Sequence, residues 1–239
     1  MRVTCSYRVG VLVWACMCGS SASADLIVDD FTQGAVYLLA RSPHFGGPPY
    51  AERLETGLAP QNTLNGRRLT WVAAGQDADP AIAELRHPAM WFNIDNDEGR
   101  GGLKYPGLGG LDLTRAGSLD RLALELDYLR PGEAGQYVSA VVTLRDTFGR
   151  ERALSQTLGR DVAGVGWVGF SGTYGFALDA WAPVDLRSIA DIELRFWGGP
   201  AFHDWFALSG LAIVPEPGGL LAGMVLGLRA WGWRGRSRA

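Results

Sequence analysis

Six tryptophans, Trp71, Trp91, Trp167, Trp181, Trp197 and Trp205, stand in the central part of this chain, joined by Tyr50, Tyr105 and Tyr174. An aromatic ring offers a flat apolar face on which the C–H face of a sugar can stack, while neighbouring Asp, Asn or Arg side chains read its hydroxyls. Trp167 and Trp181 are the first candidates for such a platform, because Gly and Pro surround them and turn-rich segments lie at the surface. The other reading of these rings is core filler.

A second chemistry is suggested by Asp95-Asn96-Asp97-Glu98-Gly99, which gathers oxygen ligands at a strand end. Asp95 and Asp97 are candidate Ca²⁺ ligands, although the spacing does not follow an EF-hand loop and a solvated turn is the alternative. Apart from this Ca²⁺ no cofactor is expected. Asp29 and Asp30 form another oxygen pair, able to hold a cation or to cap a strand end.

Catalytic signatures are sparse. His44, His87 and His203 follow no metal-ligand spacing, and no G-x-S-x-G elbow occurs. Glu84, Glu125, Asp127 and Glu193 are carboxylates that a sheet could bring face to face for glycoside hydrolysis, but alternation sets Glu125 and Asp127 on a solvent face. A non-enzymatic domain is the expectation.

These residues must be positioned by strands. From Asp25 onward, short runs alternate apolar and polar residues and are bounded by Gly, Pro, Asn or Asp. Strands are expected over residues 26–28, 35–40, 68–73, 90–94, 101–105, 119–129, 138–144, 152–158, 189–196 and 206–214. In the long run at 119–129, Leu122, Leu124, Leu126 and Tyr128 form the face to be buried. Asp146-Thr147-Phe148-Gly149-Arg150 makes a hairpin of its two neighbours. The Pro-rich residues 41–65 read as a long loop, and residues 76–88 as room for a helical turn. About ten strands without a long amphipathic helix imply an all-β fold, a two-sheet antiparallel β-sandwich of jelly-roll type.

Charge and cysteine usage narrow the partners. Six of the 22 basic residues and one of the 25 acidic ones lie outside residues 25–214, which leaves 16 against 24 and a net charge of −8. That balance argues against a nucleic-acid partner. Cys5, Cys16 and Cys18 all precede residue 25, so the central domain has neither a disulfide framework nor a thiolate metal site.

The ends read as addresses. Arg2 and Arg8, an apolar run at 9–18 and Ala22-Ser23-Ala24 have the order of a secretory signal peptide, with Ala22 and Ala24 as the small residues of the cleavage site. Trp14 makes a poor lipobox before Cys16. At the other end stand Val214-Pro215-Glu216-Pro217-Gly218-Gly219, the apolar residues 220–228, Arg229, Trp231, Trp233 and then Arg234, Arg236 and Arg238. Prolines neither extend a helix nor donate to a sheet, so this is a breaker, a membrane-seeking segment and a cationic stop.

These terminal residues resemble those of PEP-CTERM proteins, exported bacterial proteins whose tail is recognised by a membrane-embedded exosortase. The resemblance maps the recognition motif onto Pro215, Glu216 and Pro217. It implies transit through the inner membrane on the C-terminal hydrophobic, transmembrane-helix-like segment, tail removal, and delivery to the surface or exopolysaccharide matrix of a Gram-negative bacterium. Arg229 shortens the apolar run to about half of the ~20 residues that span a bilayer. Snorkelling of that arginine and interfacial anchoring by the two tryptophans are the compensation. The central region is also similar to domains that precede such tails, through Asp29-Asp30-Phe31, Gly101-Gly102-Leu103-Lys104-Tyr105, Leu111-Asp112-Leu113-Thr114 and the Asp146 hairpin.

The expected organisation is therefore a signal peptide at 1–24, a β-sandwich at 25–213 and a sorting tail at 214–239. The expected function is an exosortase-processed surface or matrix protein. A carbohydrate-binding module for exopolysaccharide is the alternative, and a secreted hydrolase the third reading.

Overall fold

The computed structural model describes residues 25–75, 80–94, 99–115, 117, 119–129, 134–199, 202 and 205–215. The expected signal segment with Ala22 and Ala24, the expected sorting motif beyond Pro215, and the candidate ligands Asp95 and Asp97 lie outside the described residues. In chain order the strands are β1 (Leu26–Asp29), β2 (Tyr37–Ala40), β3 (Tyr50–Thr56), β4 (Arg67–Ala73), β5 (Ala81–Arg86), β6 (Ala89–Asn93), β7 (Arg100–Tyr105), β8 (Arg121–Leu129), β9 (Val138–Asp146), β10 (Glu151–Leu158), β11 (Arg160–Val162), β12 (Gly166–Val168), β13 (Gly172–Ala177), β14 (Ile189–Gly198) and β15 (Trp205–Val214). No helix among the described residues is long and apolar enough to cross a membrane.

The strands form two large antiparallel sheets. The first runs β13-β8-β15-β6-β5-β2, with β1 also paired to β15; the second runs β10-β9-β14-β7-β4-β3. The chain passes repeatedly from one sheet to the other, so both must form before either core face is covered. This is the expected jelly-roll-like sandwich.

Alternation decides which side chains enter the core. On β9, Val138, Ala140, Val142 and Leu144 are buried while Arg145 is exposed, and on β14 Ile192, Leu194 and Phe196 share that inner side. The sheets meet through Phe92 on β6, Phe206 on β15 and Phe196 on β14, whose ring centroids lie 5.3–5.6 Å apart. Gly101 makes room for this cluster, since a Cβ there would stand 2.7 Å from Phe92 Cδ1.

A network of charged groups is built into the interior. Arg68 on β4 is fully buried. Its Nη1 donates to both Asp29 carboxylate oxygens at 3.1 and 2.9 Å, its Nε and Nη2 to Glu55 Oε2 at 2.9 and 2.7 Å, and Nη2 also to the Gln33 carbonyl at 3.0 Å. The Tyr105 hydroxyl donates to Asp29 Oδ2 at 3.0 Å, and the guanidinium lies 5.6 Å from the Phe31 ring centroid. Burial pushes the Asp29 carboxyl up, against the pull of Arg68 and its hydrogen bonds. The network ties the first strand to the second sheet.

Four expectations need correction. Residues 41–65 are not all loop: β3 forms there because Tyr50, Ala51 and their successors pair with β4 along their whole length. Residues 81–86 form a strand rather than a helical turn, paired with β2 on one side and β6 on the other. Tyr128 does not face the core. The pairing jumps from Ala207↔Tyr128 to Leu208↔Leu126, so a bulge at Asp127 turns Tyr128 outward and puts Leu129 inside. Fifteen strands stand among the described residues instead of ten or so, since short β11, β12 and β13 carry weak alternation.

Candidate functional site

The outer face of the second sheet carries an aromatic and cationic groove. Register places Ser155, Val141, Arg195, Gly102, Trp71 and Glu52 in one transverse row across six strands. The adjoining row is Thr157, Ser139, Trp197, Arg100, Ala73 and Tyr50. Residues two apart on a strand share a face, so both rows point to solvent.

Gly102 shapes the groove. A Cβ built on it would lie 2.6 Å from Cε2 and Cζ2 of Trp71, so the indole rests directly across the glycine. Gly101 and Gly102 thus serve opposite faces of β7: one admits Phe92 to the core, the other admits Trp71 to the surface. Trp71 also stacks on Tyr50, with centroids 6.2 Å apart and planes 26° apart. The Tyr50 hydroxyl donates to Glu52 Oε2 at 2.7 Å. Partial burial, that bond and the charges of Glu52 and Glu193 push the phenol up to about 12, so the ring stays neutral and keeps its donor.

Trp71, Arg100, Val141, Arg195, Phe196 and Trp197 line a cavity of about 330 Å³ on this face. Past Trp197 it adjoins a second hollow of about 180 Å³ lined by Ser139, Ser155, Gln156 and Thr157. Both indoles are half-buried. Arg195 is held loosely, with Nε 3.5 Å from Glu193 Oε1, and Arg100 is exposed. The arrangement offers rings for stacking, and guanidiniums and hydroxyls for hydrogen bonding.

The opposite face of the sandwich also carries rings, in contact with one another and with Arg86. Trp91 lies 5.4 Å from Tyr128, and Arg86 sits 5.5 Å from Trp91 and 4.9 Å from Trp205. Arg86 is in turn held by Glu84 at 2.5 Å. A wider cavity of about 420 Å³, bordered by Thr114, Asp120, Arg121, Leu178, Asp179 and Leu186, has no aromatic ring in its lining.

Of the candidates from sequence, Trp181 is corrected. It is fully buried and packs on Phe176 at 5.9 Å, so despite its Gly- and Pro-rich surroundings it has no face to offer a ligand. Trp167 is 42% exposed, on the small β11–β12 ribbon outside both sheets. Asp29 and Asp30 are occupied by the protein's own donors. Asp29 pairs with Arg68, while Asp30 accepts from Thr32 and Asn62. Glu193 lies on the second sheet, whereas Glu84, Glu125 and Asp127 lie on the first, and β6 and β15 separate Glu84 from the other two. His87 fastens a loop, its ring nitrogens 3.0 and 3.1 Å from the carbonyl oxygens of Phe31 and Gly34. The groove residues Trp71, Arg100, Arg195 and Trp197 were missed as a set, because only cross-strand register unites them.

The fold and groove together define a β-sandwich domain with an aromatic outer face. No family model matches the chain, and no curated protein is found to match it. Among solved structures it is similar to a family 11 carbohydrate-binding module from Clostridium thermocellum, in complex with a β-1,3-1,4-mixed-linked tetrasaccharide. Identity is 11% and the TM-score 0.36, over 80% of this chain and 95% of that one. A family 30 module of a C. thermocellum cellulosomal cellulase has 13% identity and a TM-score of 0.39, over 81% and 99%. An agarase matches with 11% identity and a TM-score of 0.44, over 80% of this chain, which spans 26% of the agarase.

Proposed function

We propose that the sandwich is a polysaccharide-binding domain, carried by a protein that is exported and then sorted to the cell surface or extracellular matrix. The observation that carries the binding reading is the groove in which Trp71, seated on Gly102, and Trp197 flank Arg195 and Arg100. Trp71 is seated against Gly102 and Tyr50 and so loses little entropy on stacking, and the adjoining Ser139, Ser155, Gln156 and Thr157 supply hydroxyl and amide partners along the same line.

The sorting part rests on the signal-like residues 1–24 and on the tail with Pro215, Glu216 and Pro217. β15 ends at Val214, so the motif begins one residue beyond that strand.

The test is affinity electrophoresis of the purified chain through gels containing the exopolysaccharide of a producing bacterium. Wild type should be retarded, Trp71→Ala and Trp197→Ala should run free, and Trp91→Ala on the opposite face should behave as wild type. Retardation that survives both groove substitutions would refute the site.

A further inference from the structure

We infer that the groove selects an acidic polysaccharide, one bearing uronate carboxylates or sulfate esters, over a neutral glycan; this rests on the reading of the groove as a glycan site. The charge of the lining carries the inference. Arg100 and Arg195 both line the cavity, and no carboxylate does. Arg195 pairs with Gly102 and Arg100 with Trp197 on neighbouring strands. The two guanidiniums are therefore diagonal cross-strand neighbours, about 7–8 Å apart at their backbones. Arg100 makes no hydrogen bond or ion pair with any described residue other than its backbone pairing, and Arg195 has only the loose contact to Glu193.

By comparison, Arg68 is held by Asp29 and Glu55, Arg86 by Glu84 and two rings, Arg145 by Asp191, and Arg150 by Asp146. In a domain with a net charge of −8, two loosely held guanidiniums lining one cavity make that cavity locally cationic. A guanidinium fork matches carboxylate and sulfate oxygens in a bidentate manner, and each flanking indole can stack the sugar ring that bears the anion. From Trp71 to Ser155 the row crosses four strand spacings, about 19 Å, room for a short run of sugar units.

The experiment is calorimetric titration of the purified full-length chain with three probes: oligomannuronate, sulfated dextran oligomers and neutral dextran oligomers. It is repeated at low and physiological salt and with Arg100→Gln/Arg195→Gln. The expected result is binding of one or both anionic probes, weakened by salt and reduced about tenfold or more in the double variant, with an unchanged melting temperature. Uronate and sulfate arms identify which acid is read. Neutral dextran bound as well as the anionic probes, or anionic binding unaffected by the double substitution, would overturn acid selection while leaving a glycan groove in place. Absence of binding to all three probes, and to the exopolysaccharide in the gel test, would overturn both.

Discussion

The indole of Trp71 occupies the space that a side chain at Gly102 would fill, across a strand pair in which the two residues stand directly opposite. The groove's shape thus depends on an absent Cβ as much as on the ring. Gly102→Ala would bring a methyl within 2.6 Å of the ring and 2.4 Å of the Leu194 carbonyl oxygen. We expect about 1–3 kcal/mol of destabilisation from this overpacking, together with loss of polysaccharide retardation. Urea unfolding and gel mobility of the one variant check both.

The buried network should be asymmetric in its response. Arg68→Met removes the one cation between Asp29 and Glu55 and leaves two carboxylates in the interior, at a cost of about 3–5 kcal/mol. Asp29→Asn leaves Arg68 paired with Glu55 and should cost no more than about 1–3 kcal/mol. Denaturation midpoints of the two variants give the comparison, and an equal loss would show that Glu55 alone does not neutralise Arg68.

Acid should loosen the β9–β10 hairpin. Burial would raise the Asp146 carboxyl, but the N–H groups of Asp185, Arg150 and Phe148 and the Arg150 guanidinium hold it down to about 2 from an ordinary 3.8. A carboxyl lowered by folding stabilises the protein fully above its ordinary value, and that stability is lost as the pH falls toward 2. Melting temperature should drop over that interval, and Asp146→Asn should start lower and show a flatter profile there.

The core cluster predicts the largest single apolar effect. Phe196 sits between Phe92 and Phe206 and is fully buried. Phe196→Ala should cost about 3–5 kcal/mol, whereas exposed Phe148→Ala should change the denaturation midpoint little.

Sorting can be examined separately from binding. In a host with an exosortase, intact mass should show loss of the residues beyond about Val214, while Pro215→Ala/Pro217→Ala stays full-length in the inner membrane. Identical mass and localisation for both forms would reduce the C-terminus to a basic extension.

The sandwich was legible because several of its strands carry a two-residue alternation bounded by turn residues. Residues 138–144 and 152–158 with the Asp146 turn are paired as the sequence implies, Glu151 opposite Arg145 through Leu158 opposite Val138. β3 was hidden by the prolines around it, and β5 by Ala, Glu, Leu and Arg, which favour helix in isolation but are overridden by two strand partners. Tyr128 was misread because a bulge shifts the period by one residue, which local alternation does not encode. The groove was illegible for a related reason. Tyr50, Trp71, Gly102, Arg195 and Ser155 come from five separate strands, and only their mutual register sets them on one face. Trp181 shows the converse: flanking Gly and Pro suggest a surface turn, yet the short 3-10 turn Leu178–Trp181 directs its indole inward.

The most direct test of the account is the response of the tryptophan indole N–H resonances to an exopolysaccharide oligomer, with each signal assigned by single substitution. The account predicts that the signals of Trp71 and Trp197 shift on titration while those of Trp91, Trp181 and Trp205 stay in place. Shifts confined to Trp91 and Trp205, or the absence of any shift at saturating oligomer, would contradict it.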